Sequence, residues 1–199
     1  MDGDPVGSRD SARRLSREEL ERVRARDSEA LGILFDRCFD RVYALARRLT
    51  GDESSAEDVT QDVFLKVHRS AHTLDPDRDP APWLATITYN ACKERWRSKA
   101  RREERRAVPI DEAPEPALPP GAADRSPEAA LLAKERDERV ARAVGKLPES
   151  LRTVLVLHEY EGLAHTAIAE IVGLRETAVR KRYSRALAEL RESLEDLLR

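Results

Sequence analysis

The sequence predicts an all-α protein, built as two small helical domains joined by a Pro-rich acidic linker, with a helix-turn-helix in the C-terminal domain. Three observations carry this. Apolar residues recur at three- and four-residue steps through both halves of the chain, and no stretch alternates with the period of two that a strand requires. Six of the 11 prolines, at 109, 114, 116, 119, 120 and 127, fall in one segment that also holds five acidic residues against the single Arg125. A short apolar helix, a Gly-Leu turn and a basic helix follow one another between Thr166 and Leu187.

Taken in order, Met1 to Arg26 is polar and reads as an N-terminal extension without the apolar run of a secretory signal. Over Ala30 to Thr50, Leu31, Leu34, Phe35, Cys38, Val42, Leu45, Ala46 and Leu49 share a helical face, and Gly51 ends the helix. A second helix, capped by Ser54 or Ser55, runs through His68 on Ala56, Val59, Val63 and Val67. A turn with three prolines spans Thr73 to Pro82. A third helix then starts at Pro82 or Trp83 and enters an arginine-rich run.

These elements make residues 27–106 one domain and 107–128 a linker. In the second domain, 129–199, periodicity resumes after Ser126-Pro127-Glu128 with Leu131, Leu132, Val140, Ala143, Val144 and Leu147. Pro148 starts a helix bearing Val154, Leu155 and Leu157, which Gly162 ends. The last helix carries Val179, Tyr183, Leu187, Leu190, Leu194 and Leu197.

Charge narrows the functional classes. The chain has 199 residues, 36 Lys and Arg against 38 Asp and Glu, and a formal net charge of −2, so any nucleic-acid binding must come from local clusters. One cluster is Lys93 to Arg106, where basic residues flank Trp96. Another is Arg175 to Ala186, with Arg175, Arg180, Lys181, Arg182 and Arg185 against Glu176 alone. Gly51 to Phe64 has the opposite sign, with Asp52, Glu53, Glu57, Asp58 and Asp62 and no Lys or Arg. Such a helix repels DNA and suits a basic protein partner.

The longest apolar runs are far shorter than the roughly 20 residues of a membrane span. Cys38 and Cys92 support neither a disulfide framework nor a thiolate metal site. The four histidines form no HExxH pattern, and no Walker, GxGxxG or GxSxG motif occurs, so no catalytic residue, metal or cofactor is expected. The protein is expected in the cytoplasm.

Three blocks, in this order and spacing, resemble the bacterial extracytoplasmic-function sigma factors of RNA polymerase. They are AEDVTQDVFLKVHR from Ala56 to Arg69, PWLATITYNACKERWRSKARR from Pro82 to Arg102, and the segment Leu147 to Glu192 that holds the helix-turn-helix. The resemblance implies that Asp58, Gln61, Asp62 and Phe64 dock on the polymerase clamp helices. It implies that Asn90, with Lys93, Arg95 and Arg97, opens and reads the −10 element, and that the turn from Thr73 to Asp79 helps to hold an extruded base.

On the last helix it assigns Arg175, Thr177, Arg180, Lys181, Ser184 and Arg185 to the −35 element. The implied partners are core RNA polymerase, promoter DNA and an anti-sigma protein. Departures from the family pattern fall at Tyr89, Glu94, Thr177, Ala178 and Lys181, positions that bear on promoter sequence. A sigma-mimicking adaptor that sequesters an anti-sigma protein is the competing reading, but such a decoy has no need of the basic recognition helix. A plain helix-turn-helix repressor leaves the acidic helix unexplained.

Overall fold

The computed structural model describes residues 15–105 and 127–196, with side chains described from Leu15 to Arg101 and from Glu135 to Glu195. Eight α-helices and one 3-10 turn account for nearly all of the described residues, with no strand among them. The first group comprises α1 (Arg17–Arg24), α2 (Ser28–Thr50), α3 (Glu53–Ser70), the 3-10 turn Ala71–Thr73 and α4 (Ala81–Arg105). The second comprises α5 (Pro127–Lys146), α6 (Glu149–Glu159), α7 (His165–Val172) and α8 (Glu176–Asp196). Residues 107–126 of the sequence-predicted linker, Arg106, Leu197 and Met1 to Arg14 lie outside the described residues, as do the side chains of Leu131 and Leu132, while the linker's last two residues, Pro127 and Glu128, begin α5.

Helix α1 lies in the last part of the Met1 to Arg26 extension. Ser16 caps it through a reciprocal box: its hydroxyl accepts from the Glu19 N–H at 3.1 Å, and Glu19 Oε2 accepts from the Ser16 N–H at 2.6 Å. Its Leu20 and Val23 are buried against the first group. Arg26 then takes a positive φ of 62° and donates to the Arg69 carbonyl at 2.9 Å, tying the turn to the end of α3.

Helix α2 starts two residues earlier than its apolar pattern predicts because Asp27 caps it, its Oδ1 accepting from the Ala30 N–H at 2.9 Å. It ends at Gly51, whose φ of 87° is the left-handed conformation that only glycine adopts without strain. The cap of α3 is Asp52, not Ser54 or Ser55: the carboxylate accepts from the Ser55 N–H at 2.7 Å. Asp ranks with Ser as a cap, and here it stands one residue past the glycine that ends α2, which leaves no slack for a later start.

Valines and alanines of α3 pack against Leu34, Val42, Leu45 and Leu49 of α2 and against Leu84 and Cys92 of α4 to form the first core. Phe35, assigned to the apolar face, lies on it but is not buried. It is 42 % exposed.

In the second group, Leu151 and Val154 to Leu157 of α6 are buried against Ile168 of α7 and Val179 and Ala186 of α8. The turn of the helix-turn-helix rests on Gly173 (φ 72°), whose N–H bonds the Ala169 carbonyl, while the Leu174 N–H returns to the same carbonyl at 2.9 Å. His158 and His165 stack with ring centroids 4.5 Å apart, and both meet Tyr183 edge-on. The Tyr183 hydroxyl donates to Glu159, which raises its pKa above the ordinary phenolic value and pins α8 to the end of α6.

The two groups touch: α2 meets α5 and α6, and α4 meets α7.

Candidate polymerase and nucleic-acid interfaces

Asp58, Gln61 and Asp62 are exposed on α3, and Phe64 is half-buried at its edge. What the linear pattern does not reveal is the company Phe64 keeps. The chain has three phenylalanines, and all three meet there: Phe35 and Phe64 have centroids 4.6 Å apart, Phe35 and Phe39 5.2 Å, and Phe39 and Phe64 6.1 Å. Tyr43 continues the row at 6.3 Å from Phe39. Phe39 is 38 % exposed, and Leu65 alongside is exposed as well.

The result is an apolar surface shared by α2 and α3, with carboxylates beside it. An exposed aromatic cluster with a polar border is the anatomy of a protein-binding surface. The four-residue spacing of Phe35, Phe39 and Tyr43 is the signal in the sequence that could have marked it.

The acidic helix and the basic helix are joined. Arg95 of α4 donates to Asp58 Oδ2 at 2.8 Å, and Lys66 of α3 to Glu94 at 2.6 Å. Two residues assigned to different partners, Asp58 and Arg95, therefore form one ion pair. Being exposed, it is worth only about 0 to 1 kcal/mol and is readily exchanged for a partner's charge.

Asn90, exposed on α4, lines an open hollow of about 330 Å³ with Lys66, Ser70, Lys93, Glu94 and Arg97. Beyond it, the turn assigned to base capture is stiff. Thr73 Oγ1 accepts from Trp83 Nε1 at 3.0 Å and donates to the Ser70 carbonyl at 2.7 Å, and Asp75 accepts from the Asp77 N–H at 3.0 Å. A hollow of about 470 Å³ lies between Pro76–Pro80, α1 and α2. Trp83 thus anchors the turn, while Trp96 packs edge-on against Tyr89 at 6.3 Å. Burial raises the Tyr89 phenol above its ordinary pKa, partly offset by Arg182 of α8.

On α8, Val179, Tyr183, Ala186 and Leu190 face the core. At about 100° per residue, Thr177, Lys181, Ser184 and Arg185 lie within about 50° of the opposite direction. All four are exposed. Arg180 stands at the flank of this strip and is held by Glu176, its Nε at 2.8 Å and Nη2 at 2.6 Å from Oε1. Arg175 is exposed just before the helix starts. Arg182 faces away from the strip, toward α4.

Comparisons with known proteins identify the family. Sigma-70 region 2 matches residues 34–102, and Sigma-70 region 4 matches residues 137–190. The RNA polymerase sigma-H factor of Pseudomonas aeruginosa is 32% identical over 181 residues, which cover 90% of this chain and 94% of that protein. The ECF RNA polymerase sigma factor SigK of Mycobacterium sp. (strain KMS) is 31% identical over 180 residues, covering 88% of each. The chain belongs to the extracytoplasmic-function sigma factor family.

Among solved structures, CnrH in complex with the cytosolic domain of CnrY has a TM-score of 0.60 at 27% identity, covering 91% of this chain and 97% of that one. The sigma factor RpoE of Bartonella quintana, solved in complex with the anti-sigma factor NepR, has a TM-score of 0.65 at 22% identity, covering 81% and 94%, and shares the fold. This sigma factor therefore binds core RNA polymerase and directs promoter-specific transcription initiation, a role of initiation rather than catalysis. Among the described residues no helix is long and apolar enough to cross a membrane.

Proposed function

We propose that the first helical group, residues 27–106 together with α1, is the polymerase-clamp and −10 module, and that residues 129–199 form the −35 module, with 107–128 between them. The observation that carries this division is the segregation of surfaces. An apolar, acid-bordered face occupies α2 and α3, whereas Thr177, Lys181, Ser184 and Arg185 form a basic strip on the N-terminal half of the outer face of α8.

In this reading Asp58, Gln61, Asp62 and Phe64 meet the clamp, and Phe35 and Phe39 extend the same surface. Asn90, Lys93, Arg95 and Arg97 act at the −10 element, where Arg95 exchanges Asp58 for phosphate as the clamp takes the carboxylate. Thr177, Lys181, Ser184 and Arg185 face the −35 major groove, while Arg175 and Arg180 flank it as phosphate anchors.

In this reading the protein acts as an initiation factor rather than an enzyme, and works in the cytoplasm with the polymerase. An anti-sigma protein is its regulator, a reading supported by the Bartonella quintana sigma factor of this fold, which was solved with the anti-sigma factor NepR. Transcription from a library of promoters with core polymerase tests the whole proposal. Initiation confined to promoters sharing paired −10 and −35 elements is the expected result, and initiation indifferent to either element refutes it.

A further inference from the structure

We propose that α1 braces the base-capturing turn, with Arg26 and Arg17 as positioning residues that hold the two ends of the segment Arg69 to Asp77 in place before DNA arrives. The inference rests on the assignment of Thr73 to Asp79 to the extruded −10 base. Helix α1 ends ahead of residue 34, where the match to Sigma-70 region 2 begins, so that match gives it no task. Its Leu20 and Val23 belong to the core, but its arginines reach past the core to the turn.

Arg26 stands where a glycine is expected. It follows the Ala25 cap of α1 in the left-handed conformation, at φ 62°, and is the one non-glycine with a positive φ among the described residues. The Arg26 N–H bonds the Val23 carbonyl at 2.9 Å and the Asp27 N–H bonds the Arg22 carbonyl at 3.0 Å, the paired bonds with which a glycine commonly closes a helix. A side chain in that conformation is strained, and such strain points to a task for the side chain. Here the guanidinium has one: Nη2 donates to the Arg69 carbonyl at 2.9 Å, in the last turn of α3, where the chain enters the turn.

Arg17 holds the other end. Its Nε lies 3.1 Å from Asp77 Oδ1 and 3.2 Å from Glu21 Oε1, and because both Arg17 and Asp77 are exposed this is the weaker tether. Between the tethers the turn is not packed down. Pro76 to Pro80 face α1 and α2 across the hollow of about 470 Å³, whose walls include Leu15 and Leu20. Side-chain tethers, rather than buried area, keep the turn at that distance from α1.

Bracing matters because capture has two costs. The base must leave its stack, and every turn residue still mobile must be fixed around it. Setting the turn beforehand removes the second cost and leaves the first. The effect is therefore confined to capture, because neither arginine lies on the α3 face assigned to the clamp or on α8.

The test uses core polymerase carrying the full chain and a single-stranded −10 non-template oligonucleotide from a promoter it transcribes, with 2-aminopurine replacing each base in turn. Fluorescence rises where a base leaves the stack, and titration of that signal measures capture. Core binding and the thermal melt are read separately. Arg26→Gly relieves the strained backbone while removing the tether, so it should melt at or above wild type, bind core equally and yet capture the base about fivefold more weakly. Arg17→Asp and Asp77→Arg should each weaken capture about threefold, and the double exchange should restore it. A bulk charge effect instead weakens capture in Arg17→Asp and strengthens it in Asp77→Arg, because the two change the net charge in opposite directions. That pattern overturns the brace, as does an Arg26→Gly chain that captures like wild type or melts below it. Absence of any fluorescence rise with wild type, at every position, overturns the base-capture reading of the turn and the brace with it.

Discussion

Removing Phe35 and Phe39 together should weaken binding to core polymerase far more than it weakens the fold. The two rings are 42 % and 38 % exposed. With about 200 Å² per phenylalanine side chain, they leave about 160 Å² of apolar surface in water. At about 25 cal/mol per Å², full coverage of that area by a partner contributes about 4 kcal/mol. Coverage is rarely complete and alanine retains some contact, so about half is the working figure: about 2 kcal/mol, or roughly thirtyfold in Kd.

The variant Phe35→Ala/Phe39→Ala can be titrated against labelled core polymerase in competition with wild type, and a thermal melt by circular dichroism reports the fold separately. Binding within about threefold of wild type, with both proteins folded, would show that the aromatic patch is not part of the interface. A large loss of melting temperature with unchanged binding would instead make the three phenylalanines a core element that happens to reach the surface.

Asp62→Lys should weaken polymerase binding most at low salt, since the exposed carboxylate acts through a screened field, and a salt-independent defect would argue for misfolding. Asn90→Ala should lower open-complex formation, read by permanganate reactivity of the −10 thymines, more than it lowers initial promoter binding. On α8, Arg185→Ala should cost about 1 to 3 kcal/mol at one position of the −35 element, whereas Arg180→Ala, removing a flanking charge already shared with Glu176, should weaken all sequences alike and flatten the salt slope by about one unit.

The Ala30 N–H, ahead of the Arg22 guanidinium, holds the Asp27 carboxyl below its ordinary range. A depressed folded value means stability present above the unfolded pKa of about 3.9 and lost as pH falls through the folded one, so Asp27→Ala should lower the melting temperature at pH 7 and flatten its acid limb. Burial pushes the Cys92 thiol up to about 12 and also raises Cys38, so a thiol reagent at pH 8 should modify half-buried Cys38 first and Cys92 only on unfolding.

Local rules written in the sequence account for the helices and most of their ends. Periodicity identifies the apolar faces, Gly51 and Gly173 carry the left-handed stops, and the Ala169, Gly173, Leu174 and Val179 series specifies the helix-turn-helix within a single stretch of chain. The basic strip on α8 is equally legible, because i, i+3 and i+4 spacing alone decides which residues share a helix face.

Tertiary structure decided what faces what. Phe35 sits on the apolar stripe of α2, but a stripe says only that a residue avoids the polar side. Whether a neighbour covers it depends on where α3 packs, and α3 leaves it at the edge beside Phe39 and Phe64. The Asp58 to Arg95 pair, the turn of Arg182 toward α4 and the tether from Arg26 to the Arg69 carbonyl likewise join residues distant in sequence. Hydrophobic periodicity is a property of one helix, whereas coverage and charge pairing belong to pairs of helices, and only the folded chain brings those pairs together.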